Sequence, residues 1–102
     1  MAKLKWSRKS AEDLEAIHDY IATDSPFYAR VQIERIFKAV ERLADFPESG
    51  RPLPEFPQLP YRELIIGSCR CIYRYDGNAG NVIMVTVVHG SRLLIDVMLP
   101  EI

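Results

Sequence analysis

The chain has 102 residues, of which 48% are hydrophobic and 26% are charged, and its formal net charge is −1. These values are typical of one globular domain and exclude a disordered chain, so we interpret residues 1–102 as a single domain. The nearly balanced charge also argues against a protein that depends on phosphate contacts, because nucleic-acid-binding domains usually carry a basic excess.

The first part of the chain predicts a short strand followed by a helix. Residues 3–6 are interpreted as the strand, and Ser7 as the N-cap of the helix, because a hydroxyl there can accept a hydrogen bond from an amide of the first turn. Glu12 and Asp13 are placed in the first turns, where the helix dipole favours acidic side chains. We expect this helix to end near Thr23.

A second helix is predicted to begin at Ser25-Pro26, since serine is a good N-cap and proline at the first helical position loses no hydrogen bond. Pro47 and Gly50 end the helical pattern. Its apolar residues recur at helical spacing. They are Ala29, Ile33, Ile36, Phe37, Val40, Leu43 and Ala44. Two helices joined by so short a link form an antiparallel hairpin whose apolar face needs a sheet to cover it.

Residues 50–60 contain four prolines and predict an extended connector. Two strands follow, at residues 61–66 and 69–75, and Gly67-Ser68 between them suits a two-residue type II′ turn. That turn pairs Ile66 with Cys69, Leu64 with Cys71 and Arg62 with Tyr73, on a mostly apolar face toward the helices. The opposite face then carries Tyr61, Glu63, Ile65, Arg70, Ile72 and Arg74.

The last predicted strand, residues 81–89, is almost uninterrupted in apolar residues, which indicates a central strand covered on both faces. Residues 93–99 fit either a further strand or a short helix. The resulting fold class is α+β. An N-terminal strand and an antiparallel helical hairpin pack on a mainly antiparallel sheet of four to five strands.

The chain has two cysteines, Cys69 and Cys71. Residues two apart on a strand share a face and diverge, so a disulfide between them would strain the backbone, and we interpret both as small buried hydrophobic residues. Without histidine partners nearby they are too few for a structural zinc site, and no metal or cofactor is expected. Free thiols, no secretory signal and no long apolar run favour a soluble cytoplasmic protein with no membrane partner.

The sequence contains no phosphate-binding glycine loop, no HExxH and no nucleophile elbow. What remains is a diffuse set of candidate residues in the second half, namely Arg51, Glu55, Arg62, Glu63, Arg70, Arg74, His89 and Arg92. Metal-independent RNA cleavage needs a base, cations on the phosphate and an acid. The residue types offer a base (Glu55 or His89), phosphate clamps (Arg70 and Arg74) and an acid (Tyr73 or Tyr75). We favour the alternative that Glu63, Arg70 and Arg74 form cross-strand ion pairs.

Five segments occur in a characteristic order, namely WSRKSAEDLEAIHDYIATDSP, LADFPESGRPLPEF, YREL, CRCIYRY and VVHGSR. With them the chain resembles the RelE/ParE superfamily of toxins from bacterial type II toxin–antitoxin modules, and more closely the ParE branch. The resemblance covers nearly the whole chain. It implies a compact fold with a helical hairpin on a curved antiparallel sheet.

Within this superfamily, RelE-like members cleave messenger RNA on the ribosome, whereas ParE-like members inhibit DNA gyrase. The resemblance places Glu55 where some nucleases have an acidic base, Arg70 at the arginine of the second hairpin strand, and His89 near a histidine that some members use. The usual terminal aromatic acid is missing, and no lysine occurs after Lys38. We therefore expect a ParE-like gyrase inhibitor. The alternatives are a RelE-like ribonuclease and a degenerate homologue that only binds its partner and helps to repress their operon.

The implied partner is a cognate ParD-like antitoxin, with DNA gyrase as the target and no sequence-specific nucleic-acid binding by the toxin alone. An apolar outer patch of the sheet and an apolar C-terminal tail predict a surface that a partly disordered antitoxin segment could cover. The predicted partner-binding residues are Tyr61, Glu63, Ile65, Arg70, Ile72, Arg74, Arg92, Leu94, Val97 and Met98.

Overall fold

A computed structural model describes residues 1–90 of the chain. Its elements are β1 (Lys3–Trp6), α1 (Arg8–Ala22), α2 (Pro26–Glu41), a 3-10 turn (Arg42–Ala44), β2 (Arg51–Pro52), β3 (Arg62–Ile66), β4 (Cys69–Asp76) and β5 (Asn81–His89). The five strands form one sheet in the order β1-β5-β4-β3-β2. Only the β1–β5 pair is parallel among these strands, so the predicted α+β class and mainly antiparallel sheet are confirmed.

Both predicted helix caps are confirmed. The Ser7 side chain accepts a hydrogen bond from the amide of Ser10, and the Ser25 side chain accepts one from the amide of Tyr28, each at 3.1 Å. The first turn of α1 holds no acidic residue, because Glu12 and Asp13, which were predicted in the first turns, both follow it.

Asp13 instead binds β5 at Thr86 and Val87, which lie past the last residue of β5 that pairs with the shorter β1. Its Oδ2 accepts hydrogen bonds from the Thr86 hydroxyl at 2.5 Å and from the Val87 amide at 3.1 Å. The Ser7 hydroxyl donates to the carbonyl of Val85, the residue passed over in the β4–β5 register. Two side chains at the start of α1 thus replace the backbone groups that a longer β1 would supply.

The hairpin of β3 and β4 has the predicted register, with Ile66 opposite Cys69 and Arg62 opposite Tyr73. Gly67 has φ +59°, as the first position of a type II′ turn requires. An added Cβ there would meet the side chain of Gln32 at 2.9 Å. Gln32 is fully buried, and its Nε2 donates to the Ile66 carbonyl at 2.8 Å. This polar anchor between α2 and the hairpin was not predicted.

Phe37 is the exception in the predicted apolar stripe of α2, because its side chain is 44% exposed. Its ring packs edge-to-face on Trp6 of β1, with centroids 5.4 Å apart. The core position on this part of the helix belongs to Ile36, which is fully buried.

Two apolar clusters cover the two faces of the sheet. The first fills the space between the helices and the sheet and includes Ile36, Tyr73 and Met84. The second lies on the other face, where the connector packs on β4 and β5. Its members are Leu53, Phe56, Leu59, Tyr61, Ile72, Val85 and Val88. β5 is therefore covered on both faces, as predicted.

The hydroxyl of Tyr73 joins the connector to the core. It donates to the Pro47 carbonyl and accepts from the Gly50 amide, each at 2.9 Å. A Cβ on Gly50 would lie 2.6 Å from this hydroxyl, so only glycine fits there. Burial raises the pKa of Tyr73 above its ordinary value. Tyr73 is thus a core residue, and the hypothesis that it acts as a catalytic acid is wrong.

Both cysteines are free and fully buried, as predicted. Burial raises the pKa of Cys71 to about 12 and, to a smaller extent, that of Cys69. A raised pKa means that the neutral thiol is the form the folded protein accommodates.

We expect Asp13→Ala to lower the free energy of unfolding by about 2 kcal/mol, because it leaves a buried hydroxyl and an amide without an acceptor. Glu12→Ala, one residue earlier and exposed, is the control and should cost well under 1 kcal/mol, within the usual range of about ±0.5 kcal/mol for surface changes. Urea unfolding followed by circular dichroism measures both. Equal stabilities of the two variants would show that the Asp13 contacts are unimportant.

Tyr73→Phe should destabilise the fold by about 1–3 kcal/mol, because the Gly50 amide and the Pro47 carbonyl lose their buried partner. The matched control is Tyr75→Phe, since the Tyr75 hydroxyl makes no hydrogen bond within residues 1–90. Thermal and urea unfolding measure the stabilities of both variants. An unchanged midpoint for Tyr73→Phe would contradict the role of its hydroxyl.

We expect iodoacetamide at pH 8 to leave Cys69 and Cys71 unmodified in the folded protein and to alkylate both in denaturant, as measured by mass spectrometry. Ser68→Cys places a thiol at the exposed turn between them and serves as the reactive control. Alkylation of Cys69 or Cys71 in the folded protein at the rate of the control thiol would contradict their burial.

The neutral Cys71 thiol contributes stability below pH 9.0, and this contribution is lost as the pH rises towards about 12.

Candidate partner-binding face and its ion-pair network

Glu63 of β3 is a buried carboxylate, with its side chain fully shielded from solvent, held by two arginines. Arg51 of β2 donates from Nε to Glu63 Oε2 at 2.9 Å, and Arg70 of β4 donates from Nε to Glu63 Oε1 at 3.0 Å. Each carboxylate oxygen thus has its own guanidinium. The predicted cross-strand pair of Glu63 with Arg70 is confirmed.

Arg70 also binds Glu55 of the connector through two parallel hydrogen bonds. Its Nη1 donates to Glu55 Oε2 at 2.6 Å and its Nη2 to Glu55 Oε1 at 2.8 Å. This bidentate bond to Glu55, together with the contact with Glu63, raises the pKa of Arg70, although partial burial acts in the opposite direction. All three nitrogens of Arg70 are therefore engaged by carboxylates.

Within residues 1–90, the cluster consists of Arg51, Glu55, Glu63 and Arg70, whose two positive and two negative charges balance. An isolated buried carboxylate is costly, and the two arginines offset that cost. The cluster joins three strands and the connector. Its arrangement is that of a structural network, and an incoming phosphate would have to displace Glu55 to reach Arg70.

His89 lies on the helix side of the sheet, away from this cluster. It pairs with Cys69 in the register of β4 and β5, and its ring packs edge-to-face on Tyr20 of α1 at 5.6 Å. Arg70 and Glu55 lie on the other face. The structure therefore brings Glu55 and Arg70 together but does not bring His89 to them.

Arg74 lies further along β4, opposite Ile83, and is half-buried. Its side chain makes no ion pair within residues 1–90, so including Arg74 in the predicted cross-strand ion pairs was wrong.

The expected exposed apolar patch on the outer face of the sheet is wrong. Ile72 is 0% and Tyr61 3% exposed, because apolar residues of the connector cover them. Glu63 is likewise buried, whereas Ile65 is 54% exposed and remains accessible to a partner. The predicted binding residues Arg92, Leu94, Val97 and Met98, and the segment 93–99, lie outside the described residues.

The connector was the part that sequence reasoning missed. Its prolines predicted an extended connector, yet Leu53, Phe56 and Leu59 recur every three residues among them. That spacing was the available signal that one side of the connector is apolar and packs on the sheet.

Among residues 1–90, three neighbouring hollows lie along the edge formed by β3 and the connector. A groove of about 450 Å³ lies between the end of α2 and β3, and includes Phe46, Leu64 and Ile65. It continues past Pro47 and Tyr75 toward the prolines of the connector. Residues 1–90 contain no cluster of three His, Cys, Asp or Glu side chains suited to a metal, and no helix there is long and apolar enough to span a membrane.

Comparison with known proteins agrees with this architecture. The family of ParE toxins of the type II toxin–antitoxin system parDE matches residues 4–94. The chain is 36% identical to Toxin RelE2 of Caulobacter vibrioides over 93 residues, which are 91% of this chain and 100% of that protein. It is 38% identical to Putative toxin Y4kP of Sinorhizobium fredii over 50 residues, which are 49% of this chain and 52% of that protein.

Two solved structures share the fold. One, of a chromosomal ParDE toxin–antitoxin system from P. aeruginosa, has a TM-score of 0.70 and 26% identity, over 89% of this chain and 98% of that chain. The other, of the toxin–antitoxin complex RelBE2 from Mycobacterium tuberculosis, has a TM-score of 0.64 and 18% identity, over 86% and 96% of the two chains. The family match spans nearly all of this chain. The chain therefore belongs to the ParE toxin family, within the RelE/ParE superfamily of type II toxins.

Proposed function

We propose that this type II toxin inhibits DNA gyrase in the cytoplasm and is neutralised by a cognate ParD-like antitoxin. The observation that carries the choice of gyrase over RNA is the state of Arg70. This arginine, the natural phosphate clamp of a ribonuclease site, is bound by both Glu55 and Glu63.

Other residues of the nuclease hypothesis support the same choice. RNA cleavage requires a base, a cation and an acid within hydrogen-bond reach of one phosphodiester. His89 packs against α1 on the far side of the sheet, and the Tyr73 hydroxyl is committed to Pro47 and Gly50 in the core. A toxin whose target is another protein needs no such triad, and its nearly neutral net charge suits that target.

An antitoxin partner is supported by the two solved relatives, which are described as toxin–antitoxin systems. The accessible apolar side chains Ile65 and Phe46 add a physical reason, because contiguous exposed apolar surface often marks an interaction site.

A second candidate, ribosome-dependent cleavage of messenger RNA, is favoured by the likeness to the Caulobacter protein named RelE2. The third candidate is a degenerate homologue that binds its partner without being toxic. The three differ in target, so paired assays separate them.

Purified toxin added to a gyrase reaction should block supercoiling of a relaxed plasmid, and prior addition of the antitoxin should restore it. The same preparation in a translating extract should give no new messenger ends by primer extension. New messenger ends with supercoiling intact would overturn the proposal in favour of a ribonuclease. No effect in either assay would favour the degenerate homologue.

His89→Ala should leave growth inhibition by the expressed toxin unchanged within about twofold, as expected when no transition-state contact is lost. Glu15→Ala, an exposed change on α1, is the matched control. Abolition of toxicity by His89→Ala, with the fold intact by circular dichroism and gyrase binding retained, would point to catalysis.

A further inference from the structure

Arg74 is a cation of the outer sheet face that the ion-pair network does not use. Arg51 and Arg70, on the same face, are each bound to a carboxylate. Arg74 is half-buried and makes no ion pair within residues 1–90. Removing a guanidinium from water costs free energy that a carboxylate normally offsets. A carboxylate of a partner would supply the counter-ion that Arg74 lacks in this part of the chain.

The strand register places Lys5 in the same row as Arg74. Arg74 of β4 pairs with Ile83 of β5, and Ile83 pairs in turn with Lys5 of β1. Residues paired across strands have their side chains on the same face of the sheet. Val82 and Met84, on either side of Ile83, pack into the cluster on the helix side. The row of Lys5, Ile83 and Arg74 therefore lies on the outer face.

Lys3 adds a third cation one row further along. It pairs with Asn81, which pairs with Asp76 of β4. The Oδ1 atom of Asp76 already accepts hydrogen bonds from two amides of the following turn, at 3.1 and 3.2 Å. The two rows thus carry three positive charges and one negative charge, on a chain whose net charge is −1. We call Lys3, Lys5 and Arg74 the basic patch.

Protection of the sheet edge explains only the lysines of this patch. Lysines on an edge strand discourage pairing with another strand, and Lys3 and Lys5 lie on the edge strand β1. Arg74 lies on β4, which has a neighbouring strand on each side, so no edge there needs protection. Its place beside Lys5 indicates that the patch binds an anionic group.

A carboxylate-bearing protein segment fits the basic patch better than a nucleic acid does. Proteins that bind single strands combine basic side chains with aromatic rings on which the bases stack. Here the residue between the cations is Ile83, and Tyr61, an aromatic residue of the second cluster on this face, is only 3% exposed. The net charge of −1 also opposes the approach of a polyanion.

Among protein partners, the target fits the basic patch better than the antitoxin does. Lasting complexes bury mainly apolar surface, and the exposed apolar side chains Ile65 and Phe46 offer such a surface elsewhere on the molecule. A charged surface contributes mostly to the rate and selectivity of an encounter. Those are the properties that a toxin needs to find its target among other proteins.

We propose that the basic patch captures an acidic segment of the target protein. Arg74 pairs with a carboxylate of that segment, and Lys3 and Lys5 steer its approach. Under the proposed function the target is DNA gyrase. This inference therefore rests on the proposed function and names the surface of the toxin that meets the target.

The first test measures binding of full-length toxin variants to purified DNA gyrase by surface plasmon resonance. Arg74→Glu should weaken binding about tenfold or more, as expected for an arginine paired with a charge in an interface. It should raise the toxin concentration that half-inhibits supercoiling by the same factor. Arg74→Gln removes the charge without reversing it and should give a smaller loss in the same direction. Circular dichroism checks that each variant is folded.

The association rate gives a readout that a merely structural role would not move. Lys5→Glu should lower this rate about tenfold at low salt, and the difference from the wild type should shrink as salt screens the charges. Lys38→Glu makes the same change at an exposed position of α2, on the helix side of the sheet. Because it changes the net charge equally, it is the matched control and should leave the association rate within about twofold of the wild type.

The outcomes separate this inference from the proposed function. Inhibition of gyrase by the wild type, with equal inhibition by Arg74→Glu, Lys5→Glu and Lys38→Glu, would overturn the basic patch and leave the proposed function intact. A wild-type toxin that neither binds nor inhibits gyrase would overturn both.

Two further measurements identify a different occupant of the basic patch. Loss of binding to the cognate antitoxin in Arg74→Glu, with gyrase inhibition unchanged, would overturn the inference in favour of the antitoxin. Binding of a short single-stranded RNA that Arg74→Glu abolishes, with gyrase inhibition unchanged, would overturn it in favour of a nucleic acid.

Discussion

The buried carboxylate of Glu63 is the constraint on which the sheet and the connector depend. A charge so far from water is tolerated only when cations meet it, and here Arg51 and Arg70 bind one oxygen each. Arg51 brings the short β2 to the sheet, and Arg70 extends the contact to Glu55 of the connector. The charged residues that first suggest an active site are therefore the ones that hold the connector in place.

Because the connector packs on the sheet, it determines which surfaces of the sheet stay accessible to a partner. The connector and β5 bury Ile72 and Tyr61 in a second apolar cluster, so within residues 1–90 the centre of the outer face offers no apolar patch to a partner. The Tyr73 hydroxyl fixes the start of the same segment through Pro47 and Gly50. What stays accessible includes the edge of β3 with Ile65.

Features set by neighbouring residues were predicted correctly from the sequence. Ser7 and Ser25 cap helices because the partner amides lie three residues away, and Gly67 fixes the hairpin register because one turn type suits it. Gln32 was missed because the carbonyl that it binds belongs to a residue 34 positions away. Asp13 was misread for the same reason, since its partners in β5 are more than seventy positions distant. Neither pairing leaves a periodic trace in the sequence.

By itself, the sequence determined the order of the helices and strands, the pairing within the hairpin, the burial of both cysteines and the family. These depend on local turn chemistry, on hydrophobic period and on the resemblance of short segments in a fixed order. Only the tertiary structure decided which charged residues meet, and on which face. A carboxylate at position 55 or a histidine at position 89 has the same chemistry in any fold, but the sheet places Glu55 against Arg70 and keeps His89 beside Tyr20 on the opposite side. The physical reason is that burial and ion pairing are properties of the packed faces, which residues distant in the chain build together.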